Sequence, residues 1–185
     1  MCKEIDTVIC DVDGTLTDGM YTITSSSDAR NCVSKSFYTR DFYAIEQILR
    51  AGLQVVIITQ SHDVVIDEQL RRICSHSEFW KDMCEQGRLI LWTAVDNKVN
   101  LIEDMLQSGV RSWDNIAYIG DAENDYDCIK LAGFSGCPTD AVPYVRDKAM
   151  YPSDYRGGHG AVHDFCMYLL EQRNKEDKET EDENS

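Results

Sequence analysis

Short apolar runs alternate with amphipathic stretches along most of this chain of 185 residues, and this alternation limits the folds open to it. Strands separated by helices form a parallel sheet whose two faces the helices cover, so we expect an α/β fold. The amphipathic stretches predict helices at about 41–51, 62–73, 97–106, 124–131 and 160–171. Asp41 is predicted to cap the first of these helices, and Gly52 to follow its end. The apolar runs predict five core strands: Thr7 to Cys10, Gln54 to Ile58, Arg88 to Trp92, Ile116 to Ile119 and Phe134 to Cys137.

Two segments fall outside this rhythm. Residues 16–36 alternate β-branched and polar side chains on either side of a Ser-Ser-Ser-Asp stretch, which predicts a β-hairpin inserted after the first strand. Residues 173–185 are acidic, and from Asn174 onward they include no apolar side chain, which predicts a disordered tail. The remainder, residues 1–172, is predicted to be a single domain.

The net charge of the chain limits the classes of partner that it can bind. A formal net charge of −15 argues against nucleic acid or an anionic membrane, because both require a basic surface. An anionic substrate would need a cation in the pocket that receives it. The N-terminal residues lack the apolar stretch of a signal peptide, and the eight cysteines form no CxxC pair, so we expect a cytoplasmic protein with reduced thiols.

Two acidic residues end the first predicted strand. In Asp11-Val12-Asp13-Gly14-Thr15, residues i and i+2 point to the same face, at the strand edge where α/β proteins bind ligands. Carboxylates so close repel each other unless a cation lies between them or one is protonated, so the pair suits a metal site combined with an acid/base. The alternative is a turn with an incidental acidic pair.

A second acidic group follows the strand at 116–119. Asp121 and Asp125 lie in Gly120-Asp-Ala-Glu-Asn-Asp125, between an apolar strand and a helix, so Asp121 is expected at the same sheet edge as Asp11. Mg²⁺ accepts few carboxylates and keeps several waters, which fits this set of oxygen ligands. Asp125 could instead cap the helix that follows it.

Thr59 and Lys98 complete the group. Thr59 ends the run that begins at Gln54 and offers a hydroxyl, and Lys98 begins a helix and offers a compact positive charge. Hydroxyl, ammonium and Mg²⁺ all stabilise a phosphoryl group during transfer. Taken singly, each residue also has a non-functional interpretation: Thr59 as a threonine that happens to end a strand, and Lys98 as a lysine exposed to solvent.

In this order, these motifs closely resemble the four motifs of the haloacid dehalogenase (HAD) superfamily. Within it, the chain is similar to the capless branch of 3-deoxy-octulosonate 8-phosphate and nonulosonate 9-phosphate phosphatases. The resemblance implies a Rossmann-like, doubly wound sheet with helices on both faces and no large cap domain. It also implies Mg²⁺, a small acidic sugar phosphate as substrate, and a homotetramer whose hairpins pack together.

The resemblance also implies a role for each matched residue. Asp11 would be the nucleophile, and Asp13 the acid that protonates the leaving oxygen and later activates water. Mg²⁺ would be held by Asp11, the carbonyl of Asp13 and Asp121, with Asp125 orienting this shell. Thr59 and Lys98 would bind the phosphoryl oxygens.

Substrate recognition is less constrained. Arg40 matches an arginine that approaches the substrate in relatives, and a guanidinium there could grip a carboxylate. Gln60 stands at an entrance position where relatives carry a different residue, as does Phe42. His159 lies in a Gly-Gly-His-Gly turn and would either reach a neighbouring subunit's substrate or stay in solvent.

Two alternatives from other classes remain. One is a catalytically silent HAD-like oligomerisation domain, as in animal CMP-sialic acid synthetases, but that domain lacks the nucleophile that is present here as Asp11. The other is a phosphoacceptor module of the response-regulator type, which is usually shorter and is poorly matched by Asp-x-Asp-Gly-Thr. A phosphatase acting on another small phosphometabolite also stays open.

Overall fold

Six parallel strands form the central sheet of the computed structural model, which describes residues 2–25, 31–62, 64–107 and 112–183. The strands are β1 (Thr7–Asp11), β4 (Gln54–Ile58), β5 (Leu89–Trp92), β6 (Ile116–Ile119), β7 (Phe134–Cys137) and β8 (Tyr151–Pro152), and an insertion supplies β2 (Thr22–Ser25) and β3 (Asn31–Ser34). The order across the sheet is β5-β4-β1-β6-β7-β8, and every neighbouring pair is parallel.

The helices cover both faces of this sheet. One face packs against α1 (Thr39–Arg50), α2 (Val64–Cys74), α3 (Glu78–Glu85) and α7 (Ala161–Glu183), and the other against α4 (Lys98–Gln107), α5 (Tyr126–Leu131) and α6 (Pro143–Arg146). Alternation along β1 shows why two cores exist: Val8 and Cys10 belong to the first, and Ile9 to the second. The predicted doubly wound α/β fold is confirmed.

The five predicted strands are all present, and the predicted helices begin and end within a few residues of their expected bounds, apart from the last one. The Asn124 to Leu131 prediction divides into a short 3₁₀ turn, Glu123–Asp125, followed by α5. Three elements were not predicted, namely α3, α6 and the two-residue edge strand β8. Each is short, so its sequence pattern is weak.

The prediction for Asp41 is wrong. Helix α1 begins at Thr39, so Asp41 lies inside its first turn and is buried. Its Oδ1 instead accepts a hydrogen bond of 2.8 Å from the backbone N–H of His163, in the first turn of α7. The carboxylate thus satisfies one of the N–H groups that a helix start leaves unpaired, but in a different helix. Gly52 follows the end of α1 as predicted, with φ +92°.

The hairpin prediction is confirmed. β2 and β3 are antiparallel, with Thr22 opposite Ser34 and Ser25 opposite Asn31, and a bridge between Thr17 and Phe37 closes the base. Residues 26–30, which include most of the Ser-Ser-Ser-Asp stretch, lie outside the described residues.

The structure differs from the disorder predicted for residues 173–185, because α7 continues to Glu183. Glu and Lys are good helix formers, and Lys175 pairs with Glu171 one turn earlier at 2.7 Å. The domain limits themselves stay a prediction. Within the described residues, no helix is long and apolar enough to cross a membrane.

Candidate active site

Three carboxylates meet at the carboxyl edge of the sheet. Asp11 is the last residue of β1, and Asp121 and Asp125 lie in the loop and 3₁₀ turn after the neighbouring strand β6. One carboxylate oxygen from each lies within 4.8 Å of the others. Although residues 11 and 121 are 110 positions apart, the parallel pairing of β1 with β6 brings their side chains into one pocket.

Gly14 allows this approach. It has φ +85°, and a Cβ built on it would lie 2.3 Å from Oδ2 of Asp121, closer than any side chain tolerates. Thr15 then donates a hydrogen bond of 3.3 Å to Oδ1 of the same carboxylate. The turn after β1 therefore both makes room for Asp121 and helps to orient it.

Lys98 lies between two of the acids. Its Nζ donates to Oδ1 of Asp11 at 2.5 Å and to Oδ1 of Asp125 at 2.7 Å, and all three side chains are buried. The lysine side chain is 1% exposed, so the alternative that Lys98 is only a solvent-exposed lysine is wrong. A charge this deeply buried is stable only because it is paired.

Asp125 holds the network together. Its Oδ2 accepts hydrogen bonds of 3.1 Å from the backbone N–H groups of Asp121 and Ala122, and its Oδ1 accepts one of 2.5 Å from the hydroxyl of Tyr118. Tyr118 was not predicted, since it lies within an apolar strand and reads as a core residue. Asp125 is therefore placed to fix the backbone at Asp121 as well as Lys98.

Burial sets the electrostatics of the group. It raises the pKa of Asp11 well above its usual range, with a further rise from Asp125 and partial opposition from Lys98. Burial and Asp125 likewise raise the pKa of Asp121 to about 7. For Lys98, burial lowers the pKa, but Asp11 and Asp125 outweigh it and the pKa is raised. Three acids facing one ammonium leave an excess of negative charge, and a divalent cation with oxygen ligands fits that excess.

Asp13 lies in the same turn but in a different set of contacts. Its Oδ2 accepts a hydrogen bond of 3.2 Å from the hydroxyl of Thr59, which in turn accepts one of 3.0 Å from the N–H of Ser61. Its Oδ1 accepts a hydrogen bond from Nζ of Lys35, a residue that the sequence analysis did not select. The Asp13 carboxylate is 32% exposed, so it stays accessible from solvent.

The predicted substrate contacts are at exposed positions. Arg40 is exposed in the first turn of α1. Gln60 accepts a hydrogen bond of 3.2 Å from Asn124, and this bond joins the loops after β4 and β6. The Nδ1 atom of His159 lies 2.9 Å from the carbonyl of Gly157 in its own turn. Their roles in substrate binding stay predictions.

The Gly-Gly-His-Gly turn packs directly against the turn after β1. A Cβ on Gly157 would lie 1.8 Å from the carbonyl oxygen of Gly14, and the N–H of Gly158 donates to the carbonyl of Thr15 at 3.0 Å. The turn thus braces the loop that carries Asp13, which the sequence analysis did not anticipate.

Several known proteins have sequences and structures related to this chain. The chain is 28% identical over 176 residues to the 3-deoxy-D-manno-octulosonate 8-phosphate phosphatase of Salmonella typhi, across 95% of this chain and 85% of that protein. A solved structure of this phosphatase from Moraxella catarrhalis, in complex with a magnesium ion, a phosphate ion and KDO, aligns with a TM-score of 0.75 at 25% identity, covering 96% of this chain and 92% of that one. A solved structure of a HAD-superfamily hydrolase from Legionella pneumophila is 29% identical and aligns with a TM-score of 0.76, covering 94% of this chain and 86% of that one.

A longer protein also matches. The N-acylneuraminate cytidylyltransferase of Oncorhynchus mykiss is 30% identical over 168 residues, which are 88% of this chain. The chain spans about a third of the length of that relative, since the match covers 34% of it. No family model matches the chain. The structural alignment with a HAD-superfamily hydrolase and the sequence match to a phosphatase confirm the HAD fold and the phosphatase relatives that the motifs predicted.

Proposed function

We propose that the chain is a Mg²⁺-dependent phosphatase that releases phosphate from a small acidic sugar phosphate through an aspartyl-phosphate intermediate. The observation that carries this proposal is the cluster of Asp11, Asp121 and Asp125, with Lys98 buried between Asp11 and Asp125, at the strand edge that binds ligands in this fold. It is supported by relatives that are named as phosphatases and whose sequences align with 95% of the chain.

Asp11 forms the covalent intermediate. Its carboxylate attacks phosphorus, the Asp11–phosphorus bond forms, and the bond to the ester oxygen breaks. Lys98, 2.5 Å from one oxygen of Asp11, offsets the charge that gathers there. Thr59, at the adjacent strand end, donates its hydroxyl to Asp13 in the structure and would turn it to the phosphoryl oxygens when an ester binds.

Asp13 moves the protons. It gives a proton to the leaving oxygen in the first step and takes one from water in the second, when water replaces Asp11 on phosphorus. Its partly exposed carboxylate is accessible to both the leaving group and water.

Mg²⁺ fits the site, because a buried set of carboxylate oxygens with raised pKa values suits a hard divalent cation. Asp11, the carbonyl of Asp13 and Asp121 would hold it, and Asp125 would orient this set. When bound, the ion supplies positive charge that stabilises the transferring phosphoryl group.

The finer assignments belong to the same proposal. We take the substrate to be a 2-keto-3-deoxy ulosonate or nonulosonate phosphate, with Arg40 gripping its carboxylate and Gln60 and His159 near the entrance. We take the protein to be cytoplasmic, which is supported by the free thiols of Cys2, Cys10, Cys74, Cys84, Cys128, Cys137 and Cys166. We take the assembly to be a homotetramer formed through the hairpins.

A phosphate-release assay tests the activity. Purified protein is offered p-nitrophenyl phosphate and a panel of ulosonate, nonulosonate, hexose and nucleoside phosphates, with Mg²⁺ or with a chelator. We expect release only with Mg²⁺, and Asp11→Asn should keep less than about 1% of it because the substitution removes the nucleophile at nearly constant volume.

The exposed Asp104→Asn is the matched control and should keep full activity. Release by Asp11→Asn at wild-type rates would contradict the role of Asp11. No release from any ester by the wild-type protein would favour the silent oligomerisation domain suggested by the match to the cytidylyltransferase.

A further inference from the structure

Lys35 links the inserted hairpin to the candidate acid Asp13. It directly follows β3, its side chain is 1% exposed, and its Nζ donates to Oδ1 of Asp13. The same Nζ lies 4.1 Å from the ring centroid of Tyr21, which contributes a cation–π contact on the hairpin side. Lysines are rarely buried unless they are paired, so this pairing with Asp13 is a built feature of the site.

Both oxygens of Asp13 are therefore held, each from a different part of the fold. Thr59 donates to Oδ2 at 3.2 Å from the end of β4, and Lys35 donates to Oδ1 from the hairpin. When the Thr59 hydroxyl turns to a bound ester, Lys35 still holds Oδ1 and limits rotation of the Asp13 carboxylate about its last bond. Fixed placement matters because a displacement of about 1 Å can lower a rate by roughly 10²-fold.

We propose that Lys35 is a positioning residue for the leaving-group step, holding the Asp13 carboxylate at the angle from which it protonates the departing oxygen. This role rests on the proposed function. In that step the bond from phosphorus to the ester oxygen breaks, the bond to Asp11 forms, and the proton moves from Asp13 to the leaving oxygen. Lys35 takes no part in these bonds and acts through Asp13.

The test compares two esters of similar shape, p-nitrophenyl phosphate and phenyl phosphate. p-Nitrophenolate leaves readily without a proton, whereas phenolate depends more on protonation. Lys35→Met keeps the aliphatic stem and removes the ammonium. We expect it to lower kcat/KM for phenyl phosphate by roughly 10- to 100-fold, and for p-nitrophenyl phosphate by less than about threefold.

Two references make the result specific. Asp13→Asn should show the same dependence on leaving group more strongly, and the double variant with Lys35→Met should lose little more than Asp13→Asn alone, because both act in one unit. Lys81→Met is the matched control, since that lysine side chain is 58% exposed on α3. It should change neither rate.

Equal losses on the two esters would overturn the role of Lys35 while leaving the proposed function intact. Failure of the wild-type protein to release phosphate from these two esters and from every sugar phosphate of the panel would overturn both. Circular dichroism checks that Lys35→Met is folded. If it is not, Lys35→Gln, which keeps a hydrogen-bond donor without the charge, carries the same comparison, and equal losses there count equally against the role.

Discussion

At the scale of the residue, Asp41 shows how one buried carboxyl makes stability depend on pH. Its Oδ1 accepts from His163, but its Oδ2 is buried and has no hydrogen-bond partner in the described part of the chain. Burial raises its pKa from 3.8 to about 6, against the opposing effects of the backbone N–H groups of His163 and Gly160 and the charge of His159. The thiols of Cys10 and Cys166 also face it, and burial raises the pKa of both, so they stay neutral in this range.

This shift predicts the direction of a pH effect. Because the folded-state pKa is raised, the unfolded chain ionises Asp41 at a lower pH than the folded protein does. The advantage of the folded state is complete below pH 3.8 and is lost as the pH rises through about 6. The free energy of unfolding should therefore fall by about 2 kcal/mol from this residue between pH 4 and pH 7.

Asp41→Asn, which cannot ionise, isolates the effect. The wild-type free energy of unfolding minus that of the variant, measured in urea at pH 4 and pH 7, should decrease by that amount, since the other titrating groups cancel. The exposed Asp104→Asn is the matched control for replacing an aspartate by asparagine. A constant difference for Asp41→Asn would show that Asp41 ionises normally in the folded protein.

Residues at strand ends are the part of the site that sequence can predict. Asp11, Thr59 and Asp121 each follow a clear apolar strand, and the rule that parallel strands end at one edge brings them together. Lys35 and Tyr118 carry no such signal. Lys35 reaches Asp13 only because the hairpin brings it next to the turn after β1. Tyr118 lies in an apolar strand, and only its hydroxyl distinguishes it from a purely apolar core residue.

At the scale of the element, the turn at 157–160 and the turn after β1 behave as one unit. Gly157 lies against the carbonyl of Gly14, where a Cβ would approach to 1.8 Å. Gly157→Ala should therefore push the two turns apart and displace Asp13. We expect kcat/KM for p-nitrophenyl phosphate to fall roughly 100-fold, the loss typical of a misplacement of about 1 Å.

Gly87→Ala provides the comparison. Gly87 has φ +66° but nothing within 4 Å of a built Cβ, so its substitution costs only about 1–2 kcal/mol of backbone strain and leaves the site in place. Wild-type kinetics in Gly157→Ala would mean that the turns separate without moving Asp13.

Strong, repeated patterns made most elements predictable, and weak ones did not. The core strands are short, mostly apolar runs with sharp ends, so four of the five ended where expected. Helix α3 has only eight residues, and β8 only two, so their positions depend on packing against neighbours that sequence alone does not reveal. Asp41 has the chemistry of a cap, but tertiary structure decides which helix it caps.

At the scale of the whole molecule, negative charge and a local cation balance each other. The chain carries a net charge of −15, so a phosphate ester approaches an opposing field. Lys98, with the proposed Mg²⁺, concentrates positive charge where it is needed. The composition indicates this requirement for a cation, but only the fold shows that Lys98 and three acids occupy one pocket.

Copies of the chain are expected to associate through the hairpin. Met20 and Ile23 are each 64% exposed and Tyr21 is 53% exposed, an unusual concentration of apolar side chains on one short insertion. Packing of hairpins from several copies would cover them. Light scattering should therefore give a mass about four times the 21.1 kDa of the chain.

Ile23→Glu places a charge in that contact and should shift the mass toward smaller species, because a buried, unpaired carboxylate is costly. Leu131→Glu is the matched control, as Leu131 is also an exposed apolar residue, at the end of α5 and away from the hairpin. It should leave the mass unchanged. A wild-type mass near 21.1 kDa would contradict the assembly itself, whereas an unchanged mass in Ile23→Glu would place the contact elsewhere on the surface.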